Sequence, residues 1–133
     1  MEEALVAFLL ADTGVSALVG AAIYWGVRPQ GSAASAITLT RISGVRDYAN
    51  DGPSRLVASR VQIDCEAADY LAAKQIARAA VRAFDALPAT VSGIALQGGF
   101  IEGERDLYEV DAETAEALRP FAVSLDVRLV HSE

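Results

Sequence analysis

The stretch that decides the fold is LVASRVQIDCE (residues 56–66), followed after a short link by YLAAKQIARAAVRAFDAL (residues 70–87). In the first part apolar and polar residues alternate, which predicts a strand with one buried face. In the second part apolar residues recur at helical spacing after Asp69, a residue suited to cap a helix, and Pro88 ends the helix. An amphipathic strand followed by an amphipathic helix indicates a sheet with helices packed on it.

The flanking segments extend this pattern toward both ends of the chain. Helical segments are predicted at residues 2–11 and 15–19, and further strands at residues 23–27, 36–43, 91–100 and 121–129. The adjacent Gly98 and Gly99 predict a β-bulge inside a strand. Together the elements predict an α+β fold, a mostly antiparallel sheet with two amphipathic helices packed on one face, in a single domain over residues 1–133.

Composition excludes several classes of protein. Of 133 residues, 53% are apolar and 22% charged, which excludes intrinsic disorder. A net charge of −7 argues against a tight grip on nucleic acid. The acidic Glu2 and Glu3 do not suit a signal peptide, and no apolar run is long enough to cross a bilayer. We therefore expect a soluble protein made in the cytoplasm.

The sequence names no catalytic residue, no metal site and no cofactor. His131 is the single histidine, and its place near the C-terminus predicts a frayed, exposed side chain. Cys65 is the single cysteine and is predicted to be a small buried hydrophobic residue. One cysteine and one histidine cannot assemble a zinc site, and no glycine-rich phosphate-binding motif is present.

The segment SGVRDYANDGPSR (residues 43–55) is predicted to be a long polar loop at the tip of a hairpin. Hairpin loops usually have 2–5 residues, and a longer one is often functional. Tyrosine and arginine are enriched at protein interfaces, so a partner contact and an ordinary solvated loop are both open interpretations. The candidate contact residues are Arg46, Asp47, Tyr48, Asn50, Asp51 and Arg55.

Most of the net charge lies in residues 102–116, which hold seven acids and one arginine. The acids are Glu102, Glu104, Asp106, Glu109, Asp111, Glu113 and Glu116. Period-two spacing is expected to place several of them on one solvated face. A catalytic pair of carboxylates needs a cleft that separates their pKa values, so an exposed acidic ribbon is the better interpretation. A helical turn is predicted at residues 112–118.

Several strings resemble one known family. They are IYWGVRPQG (residues 23–31), ITLTRISGVRDYANDGPSRLVASRVQIDC (residues 37–65), YLAAKQIARAAVRAF (residues 70–84) and IALQGGFIEGERDLYE (residues 94–109). The chain resembles the tail terminator, or tail-completion, family of long-tailed phages, and most of all the version found in gene transfer agents of alphaproteobacteria. The resemblance covers residues 2–130, almost the whole chain.

The resemblance implies a structural virion protein and not an enzyme. Members form a hexameric ring at the head-proximal end of the tail tube, where it stops polymerisation and joins the neck or stopper protein. The implied partners are further copies of the chain, the tube protein and the stopper, with DNA only in transit, without sequence specificity, and no membrane. The polar loop is then expected to make an axial contact. Some of the acids between Glu102 and Glu116 are expected to face the channel or its rim, where like charges keep DNA phosphates from binding.

Three alternatives remain at the level of sequence. A stopper or head-completion protein would share the ring but contact the portal side. A small ligand-binding or enzymatic α+β domain would need a deep pocket with convergent polar groups. A tail-assembly chaperone would be absent from finished particles.

Overall fold

The computed structural model describes residues 1–26, 35–107 and 121–133. Within these residues the chain forms three α-helices, one 3₁₀ turn and six strands. In chain order they are α1 (Glu2–Ala11), α2 (Thr13–Val19), β1 (Ile23–Trp25), β2 (Ala36–Ala49), β3 (Gly52–Ala67), α3 (Tyr70–Ala83), the 3₁₀ turn (Phe84–Ala86), β4 (Ala89–Val91), β5 (Ile94–Leu107) and β6 (Phe121–Ser132). None of the helices in the described ranges is long and apolar enough to cross a membrane.

The strands form one sheet in the order β1-β2-β3-β6-β5-β4. β1 runs parallel to β2, and every other neighbouring pair is antiparallel. The central pair is β3 and β6, which align along residues 56–67 and 121–132. The prediction of an α+β fold with a mostly antiparallel sheet is confirmed.

Alternate residues of the two central strands build the core. The buried members are Val61, Ile63 and Cys65 of β3 and Val123, Leu125 and Val127 of β6, each at most 1% exposed. We call this side of the sheet the helix face and the other side the open face. α3 covers the helix face with Ile76 and Ala77 buried, and it starts at Asp69, whose carboxylate accepts a hydrogen bond from the Ala72 N–H at 2.8 Å. The strand, the helix and the cap were all predicted correctly.

The predicted polar loop at residues 43–55 is wrong. β2 continues to Ala49 and β3 begins at Gly52, so only Asn50 and Asp51 form the turn. Residues 41–51 are all exposed, because both faces of this part of β2 are uncovered. A strand with no buried face carries no alternation of apolar and polar residues, and the sequence pattern therefore missed it.

The predicted strand at residues 91–100 is a hairpin of two strands. Ser92 and Gly93 turn the chain with φ values of 52° and 80°, and a type I′ turn requires positive φ at both positions. β4 has only three residues, whereas β5 extends to Leu107, beyond the predicted end. The predicted helical turn at residues 112–118 lies outside the described residues.

The predicted bulge at Gly98 and Gly99 is confirmed. The register of β5 against β6 shifts between Leu96 and Gly98. A Cβ atom on Gly99 would lie 2.6 Å from Cδ1 of Phe84, closer than any van der Waals contact. Glycine at this position therefore lets β5 pass directly beneath the 3₁₀ turn that follows α3.

Candidate functional site

The predicted contact residues lie on a two-stranded ribbon that we call the arm (residues 43–55). Arg46, Asp47 and Tyr48 lie on β2, Asn50 and Asp51 form the turn, and Arg55 lies on β3. β1 pairs with β2 only at residues 37–39, and β6 pairs with β3 only from Leu56 onward. Residues 43–46 pair with residues 57–60, which pair in turn with β6, so this base of the arm lies at the edge of the sheet. Among the described residues, no third strand is paired with the outer part of the arm, residues 47–55, which therefore extends from the sheet as a two-stranded ribbon.

The arm is attached at its base to the end of the chain. Nε of Arg46 donates a hydrogen bond to the Glu133 carboxylate, and the Glu133 N–H donates to the Arg55 carbonyl at 3.2 Å. Inside the arm, the Ser54 hydroxyl donates to the Asp47 carbonyl at 3.1 Å. These bonds orient the ribbon while its side chains stay open to solvent.

The arm exposes apolar surface. The side chains of Val45 and Tyr48 are 66% and 68% exposed. Beside Val45, a shallow groove of about 280 Å³ is lined in part by the apolar side chains of Leu56, Ala58 and Val130. Exposed apolar surface of this kind marks interaction sites, and tyrosine and arginine are common anchors of interfaces. The arm has the composition of a contact surface although it is not a loop.

The acidic residues do not form a single row. Glu102 lies on the open face, where its carboxylate accepts a hydrogen bond from Nε of Arg128 at 3.0 Å. Glu104 lies on the helix face and accepts one from Nζ of Lys74 at 2.9 Å. The cause is a register shift between Ile101 and Gly103, because the extra residue at position 102 reverses the alternation. The expected common face is therefore wrong for these two acids.

Of the remaining acids, one lies on the helix face and four lie outside the described residues. Asp106 also lies on the helix face and accepts a hydrogen bond from the Tyr70 hydroxyl at 3.0 Å, which raises the pKa of that hydroxyl. The Glu104 carboxylate likewise raises the pKa of Lys74. The last four candidates, Glu109, Asp111, Glu113 and Glu116, lie outside the described residues.

A charged network that the sequence analysis did not predict covers the open face. Arg60 and Arg105 approach the Asp126 carboxylate at 4.0 Å and 3.6 Å. The guanidinium of Arg128 lies 4.6 Å from the ring centre of Phe100, which gives a cation–π contact. The sequence could have indicated this network, because its arginines occupy polar positions in strands where apolar and polar residues alternate.

His131 is buried, so the prediction of a frayed side chain is wrong. It lies on a central strand and is only 3% exposed. Its Nδ1 lies 2.7 Å from the Ser132 carbonyl, and its Nε2 lies 2.8 Å from the Ser59 hydroxyl. A carbonyl only accepts, so Nδ1 carries the proton and Ser59 donates to Nε2.

The bond between Ser59 and His131 joins two strands and has no access to solvent. A catalytic serine and histidine are held at a similar distance, with a carboxylate on the other ring nitrogen. Here a backbone carbonyl occupies that place, and both side chains are buried. The pair therefore connects β3 to β6 in the core.

Cys65 is buried, as predicted. Burial raises the pKa of its thiol, and the nearby Asp64 carboxylate adds to the effect, so the thiol is kept in its unreactive protonated form. In the described part of the chain, no group of three or more His, Cys, Asp or Glu side chains is arranged to hold a metal ion.

Comparison with known proteins bears on the family of the chain and on its fold. The family model described as Tail completion protein gp17 matches residues 3–132. The chain belongs to this family. The resemblance carried by the sequence is thereby confirmed, and the family is one of structural virion proteins.

Solved structures share the fold. Eight chains match, and one of them belongs to the "Virion of native gene transfer agent (GTA) particle". It superposes with a TM-score of 0.73 at 21% sequence identity, covering 100% of this chain and 95% of that chain. At this level of identity the likeness shows the fold. No protein with a curated description matches.

The buried histidine predicts that stability depends on pH. Burial lowers the pKa of His131 below its usual value of 6.5, although the bond to the Ser132 carbonyl acts in the opposite direction. Between the lowered pKa and 6.5, the unfolded chain binds more protons than the folded chain. This contribution to stability is therefore complete above pH 6.5 and is lost as the pH falls toward the lowered pKa. The melting temperature should fall between about pH 7.5 and pH 5.5, and it should fall less in the His131→Gln chain. Equal falls in both chains would contradict the prediction.

Proposed function

We propose that this chain is the tail terminator of a phage-like particle related to gene transfer agents. Copies made in the cytoplasm form a hexameric ring on the head-proximal end of the tail tube. The ring stops polymerisation of the tube and joins the tail to the neck or stopper protein. Membership of the tail completion family carries the proposal, and the shared fold with a chain of a gene transfer agent virion supports it.

The arm is suited to an axial contact with the tail tube or the neck ring. It is a ribbon exposed on both faces, so a partner can cover it without disturbing the core. Arg46, Tyr48 and Asp51 are the proposed anchors, since arginine and aromatic side chains dominate the binding energy of interfaces. Asp47, Asn50 and Arg55 provide polar surroundings for them.

DNA passes through the channel of the proposed ring without being held. Acidic side chains on the channel or its rim favour passage because unpaired carboxylates repel phosphates and paired carboxylates keep neighbouring arginines from binding phosphates. Of the described acids, Glu102 lies on the open face, whereas Glu104 and Asp106 interact with α3. Glu102 is therefore the first candidate for this role.

Deletion of the gene tests the terminator function directly. Without a terminator nothing stops growth of the tube, so electron microscopy should show overlong tails without heads, and complementation should restore normal particles. Headless tails of normal length would favour a stopper or head-completion protein. Absence of the chain from purified wild-type particles, measured by mass spectrometry, would favour an assembly chaperone.

Replacement of Arg46, Tyr48 and Asp51 by alanine tests the axial contact. A single interface anchor contributes about 2 kcal/mol, so the loss of even one weakens a contact roughly thirtyfold. The ratio of joined to free tails should fall strongly while the melting temperature stays unchanged, because the arm is outside the core. Leu71→Ala removes another exposed apolar side chain, on α3, and serves as the control. If the triple variant joined tails to heads normally, the arm would not be a contact site.

A matched pair of charge changes tests the role of the acids. Glu102→Gln removes one carboxylate from the open face and leaves Arg128 without its partner, and the change recurs in every copy of the ring. DNA release and transfer frequency should both fall. Glu104→Gln removes the same charge from the helix face and should have little effect. Equal transfer frequencies in the two variants would exclude a specific role for Glu102.

A further inference from the structure

Within residues 1–26, 35–107 and 121–133, two long strand edges of the sheet lack a neighbouring strand. β1 pairs with β2 only at residues 37–39, and β4 pairs with β5 only at residues 94–96. In the part of the chain that the structure describes, no strand lies on the outer side of residues 41–49, the β2 edge, or of residues 98–107, the β5 edge. Uncovered edges present unpaired N–H and C=O groups and are templates for pairing with another chain.

The two edges complement each other chemically. The β2 edge exposes Ile42 and Val45, at 51% and 66%, and the β5 edge exposes Phe100 and Ile101, at 49% and 36%. The β2 edge carries two arginines and one aspartate, whereas the β5 edge carries three acids and one arginine. Apolar pairs and opposite charges across neighbouring strands both stabilise a sheet, so each edge suits the other better than it suits itself.

The arrangement of the edges favours a ring over a symmetric dimer. The edges lie toward opposite ends of the strand order, so contact between them is head-to-tail, the kind of contact that generates rings. Strand direction alternates through β2, β3, β6 and β5, so β5 runs opposite to β2. Rotation about an axis along the strands preserves these directions. The β5 edge of one copy therefore meets the β2 edge of the next in antiparallel orientation.

The centres of the two edges are staggered along the strands. Through the strand pairings, Val45 is level with Val130 of β6, whereas Gly103 is level with Asp126, four residues away. Spread over the strands β2, β3, β6 and β5, this is about one residue per strand, the ratio found in an eight-stranded barrel of shear eight. A single copy therefore already has a stagger per strand similar to that of this closed barrel.

We propose that the β2 edge of one copy pairs with the β5 edge of the next copy, which joins the sheets of the ring into one continuous wall. The inference rests on the proposed ring and identifies the surfaces that meet in it. The turn of the arm at Asn50 and Asp51 lies beyond the β2 edge and stays free for an axial partner. Arg46 and Tyr48 lie on the edge itself, where strand pairing uses their backbone groups and leaves their side chains on the faces of the sheet for the axial contact.

Disulfide cross-linking in assembled particles tests the pairing. Val45→Cys is combined in turn with Phe100→Cys, Gly103→Cys and Arg105→Cys, which lie on the same open face as Val45, because facing residues of antiparallel strands lie within the Cα distance that a disulfide spans. The native Cys65 is buried and does not compete. Oxidised particles should give a ladder of covalent multimers in at least one combination.

The matched control combines Val45→Cys with Ser92→Cys, which lies in the turn between β4 and β5, outside the β5 edge. This combination should give monomers. Absence of multimers in all three test combinations would overturn the inference, and so would a cross-link from position 45 to another virion protein or an equal ladder in the control.

Edge lysines provide an independent test. Lysine on a strand edge opposes pairing, so Val45→Lys and Ile101→Lys should cause loss of the chain from particles, measured by quantitative mass spectrometry. Leu71→Lys, at a residue that is 61% exposed on α3, should be retained. Thermal melts establish that each variant is folded. Incorporation of both edge variants at the wild-type level would overturn the pairing.

The two proposals fail in different ways. If the wild-type chain is absent from particles, or if its deletion leaves joined tails of normal length, the terminator function fails and the ring with it. If deletion gives overlong tails while the edge cysteines stay monomeric, the terminator function stands and the edge pairing alone is wrong.

Discussion

The antiparallel pairing of β3 with β6 is the constraint on which the rest of the structure depends. The two strands align along residues 56–67 and 121–132, and alternate side chains of both are buried on the helix face. A pair of strands is marginal in water unless its apolar face is covered and further strands join it. α3 covers that face, and β2 and β5 join on the outer sides. The bond between Ser59 and His131 adds a polar connection inside the same core.

Two corners of the sheet built around β3 and β6 are covered by packing within the chain, and the other two are uncovered. β1 lies beside the Ile37 end of β2 and β4 beside the Leu96 end of β5, and these are opposite ends of the strands. α1 contacts both β1 and β4, because the twist of a sheet brings one diagonal pair of corners toward the same face. The other diagonal holds the arm and the end of β5, which twist turns toward the open face. In the single chain, α1 packs against one diagonal pair of corners. The proposed assembly involves the other pair, the arm and the end of β5.

The sequence predicted the elements that bury side chains at a regular period, which are β3, β6 and α3. The arm was missed as a strand because both its faces are exposed, although residue types alone marked Arg46 and Tyr48 as candidate contacts. The turn at Ser92 and Gly93 lies within one apolar run, so a hairpin had the pattern of a single strand. The alternation of apolar and polar residues does not reveal the bulge at position 102. This bulge places Glu102 and Glu104 on opposite faces of the sheet. These features are set by pairing between strands, which one sequence alone does not reveal.

The net charge of −7 describes the open face poorly, because its arginines lie beside carboxylates. Arg60, Arg105 and Arg128, each about half exposed, lie 3.0 to 4.0 Å from the carboxylates of Asp126 and Glu102. A phosphate that approaches one of these arginines must displace a carboxylate already in place, so one exposed charge pair replaces another and little free energy is gained. A balanced surface therefore resists strong attachment of DNA, and it adds no net repulsion against its entry. For the proposed ring, through which DNA would pass, the local pairing of each cation matters more than the total charge of the chain.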